Sequence, residues 1–77
     1  MKSLEEFVKL VADQFDETDA SIFTPQTVFS DLEEWSSLVG LSLLAMVDEE
    51  FGVTLNGDDF KSSATIEDLY NRIISKL

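Results

Sequence analysis

The chain has 77 residues, with 5 Lys+Arg against 16 Asp+Glu, a formal net charge of -11 and 44% hydrophobic residues. That length holds a single domain, residues 1–77, and the hydrophobic content excludes a disordered acidic tail. The absence of Cys and His excludes disulfides, Cys/His zinc sites and any mechanism that needs a thiolate or an imidazole base.

The acidity argues against nucleic-acid binding and against an anionic membrane surface, and favours basic protein partners. A domain this small buries only about 60% of its unfolded surface, so a catalytic cleft would consume its core. The expectation is a monomeric, non-enzymatic binding or carrying module. No apolar run approaches about 18 residues, and Met1 to Glu6 lacks a signal-peptide core. The protein is therefore expected in the cytoplasm, without membrane insertion.

In chain order, Leu4, Phe7, Val8, Val11 and Phe15 form one helical stripe, which predicts a helix over Ser3 to Phe15. Ser3 and Glu6 make a capping-box pattern at its start. A long connection follows, Asp16 to about Trp35, with Thr24-Pro25 biasing the backbone toward extended or turn geometry. Ile22, Phe23, Val28, Phe29 and Leu32 are its expected pins to the core, with a short turn of helix inside it. The next helix is predicted from Ser37 to Phe51, with Ser36 as N-cap and Gly52 as its stop. Its apolar residues spread past one stripe. Leu43, Leu44, Val47 and Phe51 form one face around Gly40, and Leu38, Leu41, Ser42, Ala45, Asp48 and Glu49 lie opposite. A helix apolar over much of its circumference is either deeply buried or presents a docking surface, and so small a domain can hardly surround a helix, which favours docking.

Val53-Thr54-Leu55 is predicted extended, Asn56-Gly57 reads as a turn, and Asp58 to Lys61 fits one helical turn. Thr65 with Asp68 is a second cap signature. Ile66, Leu69, Tyr70, Ile73, Ile74 and Leu77 then make a helical stripe, with Arg72 and Lys76 near the end where the helix dipole favours cations. The fold class is all-α: a small four-helix bundle of three main helices and one short one, with a long first loop.

Among candidate reactive groups, Asp48-Glu49-Glu50 and Asp58-Asp59 lack the alternating ligand spacing of a calcium loop. They read as solvated acidic surface, with no metal site. Ser3, Ser36 and Thr65 are explained as caps. Ser37 differs: it follows a long loop and Trp35 and opens the helix with the spread apolar surface. The backbone N–H groups of a helix start favour a phosphate, so a phosphoester on Ser37 would sit where the helix is most positive. Capping of the helix by Ser36 and Ser37 is the plainer alternative.

The string Asp31-Leu32-Glu33-Glu34-Trp35-Ser36-Ser37-Leu38, with Asp48-Glu49-Glu50-Phe51-Gly52-Val53 after it, resembles the acyl carrier protein family. The resemblance covers the whole chain. Trp before the attachment motif is similar to a subset of discrete bacterial carriers. It implies that 4′-phosphopantetheine from coenzyme A is esterified to the Ser before Leu38, which is Ser37. A Cys-free chain can then hold a thioester through the thiol of the arm. It implies a docking face of Leu38, Leu41, Ala45, Asp48 and Glu49. The implied partners are a phosphopantetheinyl transferase and acyl-loading and acyl-processing enzymes with basic patches. The cargo is acyl or aminoacyl, in fatty-acid, polyketide or nonribosomal biosynthesis. Two departures stand out. Ser36 replaces the usual Asp, and Val39 and Ser42 occupy positions often acidic, which implies a specialised partner set. The alternative from a different class is an unmodified acidic adaptor that binds a basic protein.

Overall fold

The protein is described, over residues 2–77, by a computed structural model. Four α-helices form its frame: α1 (Leu4–Ala12), α2 (Ser37–Phe51), α3 (Gly57–Lys61) and α4 (Ile66–Ser75), with no strand among the described residues. The small helical bundle expected from the periodicities is the observed fold.

α1 starts where the capping box places it. Glu6 N donates to Ser3 Oγ at 3.2 Å, and Ser3 N donates to Glu6 Oε1 at 3.1 Å. It ends at Ala12, short of the predicted Phe15. The N–H groups of Gln14 and Phe15 bond to the Val11 and Ala12 carbonyls, both at 3.0 Å, which tightens the last turn. Phe15 is nonetheless buried, with its ring centroid 5.1 Å from that of Phe23. The hydrophobic period thus outlasts the helix, because the tighter turn still delivers the side chain to the core.

The long connection is ordered by two 3₁₀ turns, Ala20–Ile22 and Phe29–Asp31. Of its five predicted pins, Phe23 and Phe29 are buried and Leu32 is half-buried. Ile22 and Val28 are exposed, contrary to expectation. Each precedes a Phe that takes the inward place, and each pair straddles the junction between a 3₁₀ turn and extended backbone. The loop is also tied to α4: Ile66 N donates to Thr27 O and Glu67 N donates to Pro25 O.

α2 runs as predicted and stops at Gly52, whose φ of 67° is the left-handed conformation glycine adopts without strain. Asn56 and Gly57 do not make a free turn. Asn56 is the N-cap of α3, in a capping box with Asp59, and Gly57 is the first helical residue. α4 carries the Thr65–Asp68 capping box and buries Ile66, Leu69 and Ile73 completely. The stripe stops short of Leu77, which is exposed beyond the end of the helix. α1 packs on α4, and the inner face of α2 adds Leu43, Met46 and Val47 to the same core.

Asp59 departs most from its predicted surface role. Its side chain is only 1% exposed. Arg72 Nε donates to Oδ1 at 2.7 Å, and Lys76 Nζ lies 3.5 Å from Oδ2. The Arg72 hydrogen bond, above all, holds the Asp59 carboxyl below the usual aspartate range against the opposing effect of burial. Arg72 and Lys76 therefore do more than complement the dipole of α4: they fasten α3 to it.

Candidate functional site

Ser37 is the first residue of α2 and is exposed. The two adjacent serines have separate roles. Ser36 has extended backbone (φ −158°, ψ 171°), and its Oγ accepts from Val39 N at 3.3 Å. The Ser37 hydroxyl has no hydrogen-bond partner among the described residues. Ser36 is thus the cap, and the Ser37 hydroxyl is exposed and free.

The first N–H groups of any α-helix lack intrahelical acceptors. At α2, Gly40 N bonds to Ser36 O at 2.9 Å and Val39 N to Ser36 Oγ, while Ser37 N and Leu38 N have no acceptor among the described residues. The carboxylates make this start distinctive. α1 has Glu5 and Glu6 in its first turn, α3 has Asp58 and Asp59, and α4 has Glu67 and Asp68; α2 has none. An anion at the other three starts would meet fixed negative charge. At α2 it meets two open N–H donors and the positive end of a 15-residue helix. A phosphodiester on Ser37 Oγ fits this position.

The segment leading to Ser37 is held at two successive residues. Glu34 Oε1 accepts from Thr18 Oγ1 at 2.6 Å and from Glu17 N at 3.0 Å. The Thr18 bond, chiefly, holds the Glu34 carboxyl below the usual glutamate range. The half-buried Trp35 ring has its centroid 5.2 Å from Phe29, 5.9 Å from Phe60 of α3 and 6.4 Å from Phe15. The same ring lies over Gly40, where an added Cβ would sit 3.7 Å from its edge. Neither the Glu34 bond nor this role of Trp35 was expected from the residue pattern. Long-range partners leave no periodic trace.

The predicted docking residues Leu38, Leu41, Ala45, Asp48 and Glu49 are all exposed, Leu38 by 73% and Leu41 by 61%. Ser42 is half-buried and donates to Leu38 O. On the predicted inner face, Leu43, Val47 and Gly40 are buried, while Leu44 and Phe51 are half-buried. Met46 is buried there as well. At a rise of 1.5 Å per residue, Ser37 and Glu49 stand about 18 Å apart along one helix. Glu50 is paired with Lys2 at 3.2 Å. Asp48 and Glu49 have no ion-pair partner among the described residues and remain available to a basic surface.

A groove of ≈ 320 Å³ runs beside this face, lined by Leu41, Leu44, Ala45, Asp48, Thr54 and Leu55. The larger hollow, ≈ 520 Å³, lies between α1 and the long loop against Val8, Phe23 and Pro25. It is open, and its lining does not include Ser37. No helix among the described residues is long and apolar enough to cross a membrane.

The family model described as "Phosphopantetheine attachment site" matches residues 5–73. No curated protein and no solved structure matches the chain significantly.

Proposed function

The chain belongs to the phosphopantetheine-attachment family, whose members carry covalent 4′-phosphopantetheine, and from that premise we propose that Ser37 is the attachment residue of an acyl or aminoacyl carrier. One observation carries the reading: the unpartnered, exposed Ser37 hydroxyl stands at the one α-helix start among the described residues that has no first-turn carboxylate, beside the open N–H groups of Ser37 and Leu38. When bound, 4′-phosphopantetheine supplies the thiol that this Cys-free sequence lacks.

Loading is a phosphoryl-group substitution by a phosphopantetheinyl transferase with coenzyme A. Ser37 Oγ bonds to the phosphorus bearing the pantetheine arm. The bond from that phosphorus to the adenosine-side phosphate oxygen breaks, and adenosine 3′,5′-bisphosphate leaves. The hydroxyl proton passes to a base of the transferase or to water. Ser37 N and Leu38 N would be the donors available to the phosphodiester, at the helix end whose dipole favours negative charge.

Leu38, Leu41 and Ala45 supply the apolar part of the surface that meets partner enzymes, and Asp48 and Glu49 the acidic part. The dipole supports assigning the acids to partners. α2 has no basic residue in its last turn, and negative charge there opposes the helix dipole. These carboxylates do not serve the stability of their own helix.

The test is intact-mass measurement after incubation with coenzyme A and a transferase. Wild type gains the mass of one phosphopantetheinyl group, and Ser37→Ala gains none. A gain that survives Ser37→Ala defeats the assignment. Wild type that stays apo, in cells and with several transferases, returns the unmodified adaptor.

A further inference from the structure

α1, α3 and α4 each begin with a reciprocal capping box, in which a carboxylate on the third helical residue bonds back to the N-cap backbone. α2 cannot form one, because Val39 occupies that place and only the one-way Ser36 bond remains. The start that bears Ser37 is therefore the least self-fixed of the four. It is also where position matters most, since phosphoryl transfer demands alignment of the attacking oxygen.

The missing fixation comes from outside the helix. Glu34 is bonded to Thr18 and Glu17, far back in the loop, and Trp35 is wedged among Phe29, Phe60 and Phe15 with its edge over Gly40. The two anchors act on consecutive residues immediately before the Ser36 cap. They also leave the first turn free of carboxylate, which a capping box at Val39 would not.

We propose that Thr18, Glu34 and Trp35 are positioning residues for the loading of Ser37: a tertiary clamp replaces the capping box and holds the nucleophile in register while leaving the helix start open to phosphate. The inference rests on Ser37 being the attachment residue. None of the three clamp side chains needs to touch coenzyme A. Their effect reaches the reaction through the backbone of residues 34–37. Docking affinity, which resides in exposed side chains of α2, is separate from it.

The experiment measures steady-state loading by a phosphopantetheinyl transferase with coenzyme A, varying carrier concentration, alongside thermal melts. The carriers compared are wild type, Thr18→Val, Thr18→Ser, Glu34→Ala, Trp35→Phe and Ser37→Ala. Thr18→Val removes only the hydroxyl donor. It is expected to lower kcat about fivefold or more while KM for the carrier stays within about twofold, and Thr18→Ser restores kcat. Glu34→Ala reproduces the loss. Trp35→Phe, folded by its melt, lowers kcat in the same sense. Amide hydrogen exchange at Val39 and Gly40, whose N–H groups bond to Ser36, accelerates in each slowed variant. Wild-type kcat in both Thr18→Val and Glu34→Ala overturns the clamp while leaving Ser37 as attachment residue. So does a rise of KM alone, or a loss no greater than the unfolded fraction explains. Loading of Ser37→Ala overturns the attachment assignment and the clamp together.

Discussion

α2 and α4 belong to the same bundle but are built on opposite plans. All four leading N–H groups of α4 are satisfied: Ile66 and Glu67 by the Thr27 and Pro25 carbonyls, Asp68 and Leu69 by Thr65. α4 places acids in its first turn and Arg72 in its last, as its dipole favours. α2 leaves two leading N–H groups open, has no first-turn acid, and ends in acids rather than bases. Exposed Leu38 and Leu41 interrupt any simple amphipathic division. α4 behaves as scaffold in every respect. α2 is held in place by its inner face and leaves its start, outer face and acidic end to other uses. The proposed attachment and docking residues thus lie on the helix that departs most from local optimisation, and not in the larger hollow.

Charge on the two faces of α2 sharpens that contrast most. Val47 is fully buried and Leu41 exposed, six residues apart on the same helix. Val47→Asp is expected to unfold the domain, since an unpaired buried carboxylate costs at least about 3 kcal/mol. Leu41→Asp should melt close to wild type and impair only loading and partner binding. Circular dichroism melts of the two variants check this, and equal losses would erase the distinction between the faces.

The next effect belongs to the scaffold side. Asp59→Asn removes the charge that fastens α3 to α4 while keeping the shape, and is expected to cost about 2 kcal/mol at neutral pH. The folded-state pKa of Asp59 is depressed, so its contribution is fully present above the unfolded value of about 3.9 and is lost as pH falls through the depressed one. The gap between wild type and Asp59→Asn in urea titrations should thus be constant above about pH 5 and shrink below about pH 4. Comparing the two proteins cancels the general relief of carboxylate repulsion on acidification. A gap independent of pH would mean that the triad contributes by packing alone.

The smallest effect has opposite signs in two assays. Glu49→Lys replaces an acid with a base near the end of α2, and should stabilise the fold by a few tenths of a kcal/mol at low salt. It should also raise KM for transferase loading, with the difference narrowing as salt increases. Destabilisation, or loading with unchanged KM, would place Glu49 outside the docking face.

Much of this molecule was readable from residue spacing. The α2 limits and the caps Ser3, Ser36 and Thr65 all rest on neighbours a few residues away, so local chemistry was enough. The lack of first-turn acid in α2 was equally readable in a chain with 16 acidic residues. Asp59 was misread because its burial depends on Arg72 and Lys76, which only the docking of α4 brings near. Ile22 and Val28 were misread because the loop chooses which of two adjacent apolar residues turns inward.

The sequence by itself determined the helices, their inner stripes and the cap at Ser36, since hydrophobic period and capping act over one or two turns. Only the tertiary structure decided how Glu34 reaches Thr18, how Trp35 lies on Gly40, and how α3 is fastened through Asp59. Those contacts join residues distant in the chain, and their geometry exists only once the core has closed.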